Sequence, residues 1–167
     1  MDYDDLDQLL IDKGKMIFRY LMKLGVSRVD AEDIVQETLV KALQVLDDIA
    51  VDKFTPWLFR VAFNTHIDHL RKKKRRGELP LESVSLITQQ TLDDAVLTRE
   101  LQDEIQSVFD SLHPAYSHML LLKYEYGLSH REIATVLGLK EENVKVSMFR
   151  ARNRFREAYG RLNHERT

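Results

Sequence analysis

The sequence has no cysteine, which excludes disulfides and thiolate metal sites and fits a reducing compartment. It also lacks any apolar run near the roughly 18 residues that a bilayer crossing requires. Its opening, Met1-Asp2-Tyr3-Asp4-Asp5, is acidic, where a secretory signal would be basic and then apolar. The expectation is a cytoplasmic protein with no direct membrane insertion. No glycine-rich phosphate loop and no nucleophile motif is present, which argues against an enzyme. His66, Asp68 and His69 are the nearest approach to a ligand set, but their spacing suits a shared metal poorly. Exposed histidines on a basic helix are the plainer reading, so no catalytic residue, metal or cofactor is expected.

An excess of base is missing as well. Lys and Arg number 25 against 27 Asp and Glu, for a net charge of −2. The overall basic signature of a nucleic-acid binder is therefore absent, but the average conceals segregation. Every charge from Asp2 to Asp12 is acidic, and every residue from Arg71 to Arg76 is Lys or Arg. Acids dominate again from Glu78 to Glu104, with Arg99 the one base among them. Beyond Lys140 bases return, with Arg150, Arg152, Arg154 and Arg156 on alternate positions. The blocks suggest two cationic surfaces on an acidic protein, although each alone is also compatible with an ordinary solvated helix face.

What is present reads as helix almost throughout. Apolar content of 44% is ordinary for a chain that packs a core. Leu6, Leu9, Leu10, Ile17, Leu21 and Leu24 mark a first helix over 5–24, ended by Gly25. Ser27 caps a second, running to about Leu46 with Asp30 and Glu32 near its start. Thr55-Pro56 reads as a cap and a first-turn proline, opening a third helix to about Arg75, stopped by Gly77 and Pro80. Residues 77–95 are weakly periodic and rich in Ser, Thr and Gln, too long for a connection inside one compact domain. Helices are expected again at 96–112, 114–126, 129–137 and 141–162. The fold class is all-α: two small helical domains, 1–76 and 96–167, joined by a flexible linker at 77–95.

The second domain carries the most specific local signal. Ser129-His130-Arg131-Glu132 has the form of a capping box. Ala134 permits a close helix crossing, Gly138 a left-handed turn, and Val144 and Met148 a buried face on the following helix. Together they describe a helix-turn-helix, though a helical hairpin that only packs can share these features. Its second helix would expose Lys145, Phe149, Arg150 and Arg152, with Phe149 suited to thymine methyls and the bases to guanine edges or phosphates.

In the first domain Asp33, Gln36 and Glu37 share one polar flank of the second helix. The third helix joins Trp57, Phe59 and Phe63 to Asn64, Asp68, Arg71 and the cations Lys72, Lys73 and Lys74. Aromatics and amides beside cations suit unstacked bases and their phosphates, although a tryptophan such as Trp57 is more often core than platform.

These segments occur in a telling order. Ala31-Glu32-Asp33-Ile34-Val35-Gln36-Glu37 is followed by Trp57-Leu58-Phe59-Arg60-Val61-Ala62-Phe63-Asn64 and Ile67-Asp68-His69-Leu70-Arg71. Then come Leu128-Ser129-His130-Arg131-Glu132-Ile133-Ala134, Leu137-Gly138, Val144-Lys145 and Phe149-Arg150-Ala151-Arg152. Across almost its whole length the chain resembles the extracytoplasmic-function (ECF) RNA polymerase sigma factors. The resemblance implies sigma region 2 at 1–76 and region 4 at 96–167. It makes core RNA polymerase, through its beta-prime and beta subunits, the partner, and places the contact with a coiled coil of one large core subunit on Asp33, Gln36 and Glu37. It gives opening and reading of the −10 promoter element to the loop 47–55 and to Trp57, Asn64, Asp68, Arg71, Lys72, Lys73 and Lys74. It gives the −35 element to Lys145, Phe149, Arg150 and Arg152, and lays the acidic linker near the RNA exit path. It also implies an anti-sigma factor, often membrane-bound, that holds the protein inactive until a stress or envelope signal. One departure stands out: where many members read Gly-Thr-Val-Lys-Ser-Arg, this chain reads Glu142-Asn143-Val144-Lys145-Val146-Ser147. The −35 sequence therefore does not carry over from the family. A helix-turn-helix regulator acting without polymerase is the alternative, and it leaves the first domain unexplained.

Overall fold

A computed structural model of the chain describes residues 2–77 and 99–165. The described residues are helical with no strand. The chain divides into two compact units, Met1–Ser85 and Leu86–Thr167. The linker expected at 77–95, apart from Gly77, and the start of the fourth helix expected at Val96 lie outside the described residues.

In the first unit three helices pack on one another: α1 (Tyr3–Lys23), α2 (Arg28–Val45) and α3 (Val51–Arg75). Asp4 and Asp5 lie in the first turn of α1, where the positive end of the helix dipole favours them. Its other end closes by a Schellman pattern. Gly25 adopts φ 82°, its N–H meets Met22 O at 3.0 Å, and the Val26 N–H meets Leu21 O at 3.1 Å. Gly14 lies against α2, where an added Cβ would come 3.2 Å from Leu39 Cδ1. Ile17, Tyr20 and Leu21 from α1, Ala31 and Ile34 from α2, and Leu58, Phe59 and Ala62 from α3 form the core. Tyr20 meets Phe59 edge to face at 4.8 Å, a favoured aromatic geometry.

The start of α3 differs from the expectation. The helix begins at Val51 and contains Pro56, so Thr55-Pro56 is neither cap nor first turn. The Thr55 hydroxyl instead accepts a 2.8 Å hydrogen bond from Lys13 Nζ on α1. Pro56 withholds an N–H from the Asp52 carbonyl and crowds it, and Val51, Asp52 and Lys53 are exposed, so that carbonyl can tilt outward to water. The loop expected at 47–55 is thus largely helical: a 3-10 turn, Leu46–Asp48, and then the first turn of α3.

The second unit comprises α4 (Arg99–Ser111), α5 (Pro114–Leu120), α6 (His130–Leu137) and α7 (Glu141–His164). Pro114 occupies the first turn of α5, and His113 Nδ1 accepts from the Ala115 N–H at 3.1 Å. The helix expected to run evenly to Tyr126 widens into a π-helical turn at Leu121–Glu125. Leu122 there is buried and Tyr124 exposed. α7 packs against α4, α5 and α6, burying Val144, Met148 and Ala151.

Candidate docking and nucleic-acid interfaces

Helix α2 buries Ala31, Ile34, Thr38 and Ala42 and turns its opposite side to solvent. Asp33, Gln36 and Glu37 are all exposed. At 3.6 residues per turn, Asp33 and Gln36 fall on one line with Val29, Val40 and Leu43. Those apolar residues are 69%, 55% and 54% exposed. A line of large apolar side chains around Asp33, with Glu37 at its edge, is uncovered surface of the kind that marks a protein interface. Sequence reading found its acids and missed its apolar members, although the same helical spacing contains them. Glu37 sits at the edge of this face and meets His69 Nε2 of α3 at 3.1 Å.

On α3 the outward residues are Arg60, Asn64, Asp68 and Arg71. Asp68 and Arg71 approach to 3.8 Å with both side chains well exposed, a pairing of little energetic weight. Lys72, Arg75 and Arg76 are exposed and Lys74 half-buried at the helix C-terminus, where the dipole favours cations. Lys73 turns back and forms an ion pair with Asp30 near the start of α2. Burial pushes the Asp30 carboxyl up, but hydrogen bonds from Lys73 and Ser27 outweigh it and hold the group below its usual value. Trp57 is half-buried and stacks parallel to Phe54, ring centres 6.3 Å apart. Phe59 and Phe63 are core residues, so of the three aromatics read as base platforms only Trp57 offers a face.

The histidines also depart from expectation. His66 is buried, and burial first, then the neighbouring His69 and Lys73, lower its pKa to about 4. Its Nε2 has no hydrogen-bond partner. His66 therefore sits neutral in the core while Asp68 points to solvent and His69 meets Glu37; the three do not converge. No group of three metal-ligating side chains occurs among the described residues.

In the second unit the capping box is formed in both directions. The Glu132 N–H donates to Ser129 Oγ at 3.1 Å and the Ser129 N–H to Glu132 Oε1 at 3.0 Å. Gly138 takes φ 67°, and the Leu139 N–H returns to Ala134 O at 2.9 Å. Two helices joined by this turn hold the outer face of α7 clear of the core. Lys145, Phe149 and Arg150 are exposed on it, Lys145 lying 3.6 Å from Glu141. Arg152 is half-buried on the flank and donates to the Tyr124 hydroxyl at 3.3 Å. Beside it His130 titrates below its ordinary value, through burial first and then the charges of Lys123, Arg152 and Lys145. That concentration of positive charge near the start of α6 includes Lys123, and Tyr124 beside it holds Arg152; the sequence reading singled out neither, because both lie in the π-helical turn.

The comparisons with known proteins agree with this geometry. The family description "Sigma-70 region 2" matches residues 10–76, and "Sigma-70, region 4" matches 102–155. The ECF RNA polymerase sigma factor SigW of Bacillus subtilis is 34% identical over 139 residues, 77% of this chain and 74% of its own. SigM of the same organism, also an ECF RNA polymerase sigma factor, is 27% identical over 161 residues, 96% of this chain and 97% of its own. Among solved structures, the sigma factor RpoE in complex with the anti-sigma factor NepR from Bartonella quintana aligns with a TM-score of 0.69 at 24% identity. That alignment covers 92% of this chain and 96% of the other. No helix among the described residues is long and apolar enough to cross a membrane. The chain belongs to the extracytoplasmic-function RNA polymerase sigma factors.

Proposed function

We propose that the outer face of α2 is the surface by which this sigma factor docks on core RNA polymerase, and that α3 and α7 read the promoter. The protein is an alternative sigma factor: it binds core polymerase and directs promoter-specific transcription initiation. The observation that carries the docking assignment is the uncovered line Val29, Asp33, Gln36, Val40 and Leu43. Apolar contact and acid together match the make-up of a protein interface whose partner brings base.

The division of labour follows the two units, region 2 at 1–76 and region 4 at 96–167 with a linker at 77–95. Trp57, Asn64, Asp68 and Arg71 lie outward on α3 to receive unstacked bases of the −10 element, and Lys72 and Lys74 hold its backbone. Lys73 contributes by fixing the end of α3 to α2 through Asp30. Flipping bases out of the duplex costs a few kcal/mol, and stacking on Trp57 offsets part of it. Lys145, Phe149, Arg150 and Arg152 meet the −35 element. The work is binding and not catalysis. With a net charge of −2 the free chain attracts DNA weakly, which confines promoter binding to the polymerase-bound state. An anti-sigma factor covers the α2 face until a signal releases it, keeping the protein in the cytoplasm or at the inner face of the membrane.

The test is a pull-down of purified core polymerase with the wild type and with an Asp33→Ala, Gln36→Ala, Glu37→Ala variant. Binding by the wild type and its loss in the variant is the expected result. Undiminished binding by the variant moves the docking surface elsewhere. Specific DNA binding by the free chain with no binding to polymerase would instead make it a stand-alone regulator.

A further inference from the structure

The outer face of α7 carries two large apolar side chains, and the assignment above uses one. Val144, Met148 and Ala151 define the inward side of this 24-residue helix. On the opposite side, at 3.6 residues per turn, lie Glu142, Val146, Phe149 and Asn153. Val146 is 50% and Phe149 61% exposed. Separated by three positions, they are neighbours on the helix surface, with Cβ atoms roughly 5–6 Å apart. Lys145 and Arg150, both exposed, flank the pair, and the positive cluster of Lys123, Arg152 and Lys145 lies toward α6.

We infer that Val146 and Phe149 form one apolar step that determines −35 specificity by reading methyl groups of neighbouring thymines in the major groove. This rests on the placement of α7 against promoter DNA. In the major groove the thymine C5-methyl is the one apolar group that the four bases present. Successive bases of a strand rise about 3.4 Å, a step that an i, i+3 pair inclined to the groove can follow. An apolar pair flanked by two cations is poorly suited to a second protein's apolar core, whereas it suits a methylated edge between two phosphate backbones. Val146 has no hydrogen-bonding group and so cannot read the polar edge of a base.

The test uses holoenzyme made from purified core polymerase and the full chain, with the free chain run in parallel. Both are presented with a promoter duplex library randomised across the −35 region. Bound duplexes are then remade with deoxyuridine in place of thymidine at single −35 positions, which removes the methyl and nothing else. The expected selection contains adjacent thymines on one strand, and each substitution weakens wild-type binding about fourfold, the worth of one buried methyl. In Phe149→Ala and Val146→Ser the penalty for losing the corresponding methyl disappears. Equal wild-type binding of thymidine and deoxyuridine duplexes overturns the inference while leaving the sigma assignment intact, as does a methyl penalty undiminished in both variants. Failure of the holoenzyme to select any duplex, with selection by the free chain, overturns the sigma assignment; the methyl dependence of the free chain then decides the inference. Selection by neither form overturns both.

Discussion

Each unit exposes apolar side chains on one helix, but in opposite electrostatic settings. On α2 the line Val29, Val40 and Leu43 runs among Asp33, Gln36 and Glu37; on α7 the pair Val146 and Phe149 stands between Lys145 and Arg150. Apolar exposure alone says that something is to be covered. The flanking charge says what covers it. In the proposed assignment, acids, which repel phosphates, direct the α2 face to protein, and cations direct the α7 face to nucleic acid. A chain of nearly balanced charge can hold both surfaces because it segregates them.

The strongest way to break this comparison is to exchange function between the faces. A carboxylate placed in the apolar line, Leu43→Asp, leaves a charge without a partner inside the proposed polymerase contact. That typically costs about 3–5 kcal/mol, so affinity for core polymerase should fall at least about a hundredfold, measured by titration of labelled core enzyme. The matching change on the other unit, Phe149→Asp, should leave polymerase affinity unaltered and abolish selective promoter binding by the holoenzyme. Equal loss of polymerase binding in both variants would end the division of labour. Because Leu43 and Phe149 are both exposed, neither change disturbs the core, and circular dichroism should confirm native helix content.

A second prediction concerns stability and belongs to the first unit alone. His66 is buried with its pKa lowered to about 4, against an ordinary value near 6.5 in the unfolded chain. Between those values the unfolded chain takes up a proton that the folded unit refuses, so stability falls as pH drops below about 6.5 and stops falling, for this group, near 4. From pH 7 to pH 5 the loss should be about 2 kcal/mol. Urea denaturation at the two pH values measures it, and His66→Gln should remove most of the slope. An unchanged slope in that variant would mean that His66 titrates in the fold as it does in the unfolded chain.

The sequence made some of these surfaces legible and hid others for physical reasons. The helix-turn-helix was readable because its determinants are local: Ser129 and Glu132 cap each other across three residues, and Gly138 takes the left-handed turn without help from distant groups. The beginning of α3 was not, because the hydroxyl of Thr55 is claimed by Lys13, 42 positions away. Local propensity could not anticipate that contact. His66 looked like part of a solvated basic helix, yet its helical spacing puts it with Phe59, Phe63 and Leu70 on the buried side. Val29, Val40 and Leu43 were legible in principle. They were passed over because apolar residues on a helix are first assigned to its core, and α2 has them on both sides.

The smallest expected effect separates cations that look alike in sequence. Lys72, Lys73 and Lys74 stand in one unbroken basic run, but only Lys73 is held by Asp30, while Lys72 is exposed and Lys74 half-buried. Each phosphate contact contributes roughly 0.9 to the slope of log affinity against log salt on duplex DNA and about 0.7 on single strands. Lys72→Ala and Lys74→Ala should therefore each lower the salt slope of holoenzyme–promoter binding by a little under one. Between 50 and 200 mM salt that amounts to about a threefold difference in affinity. Lys73→Ala should leave the slope unchanged and lower the thermal midpoint of the free protein, because it strips Asp30 of its partner at the α2–α3 junction. A slope reduced as much by Lys73→Ala as by Lys72→Ala would show that the Asp30 pair opens to give its cation to DNA. The end of α3 would then be a surface remade on binding, in contrast to the fixed recognition face of α7.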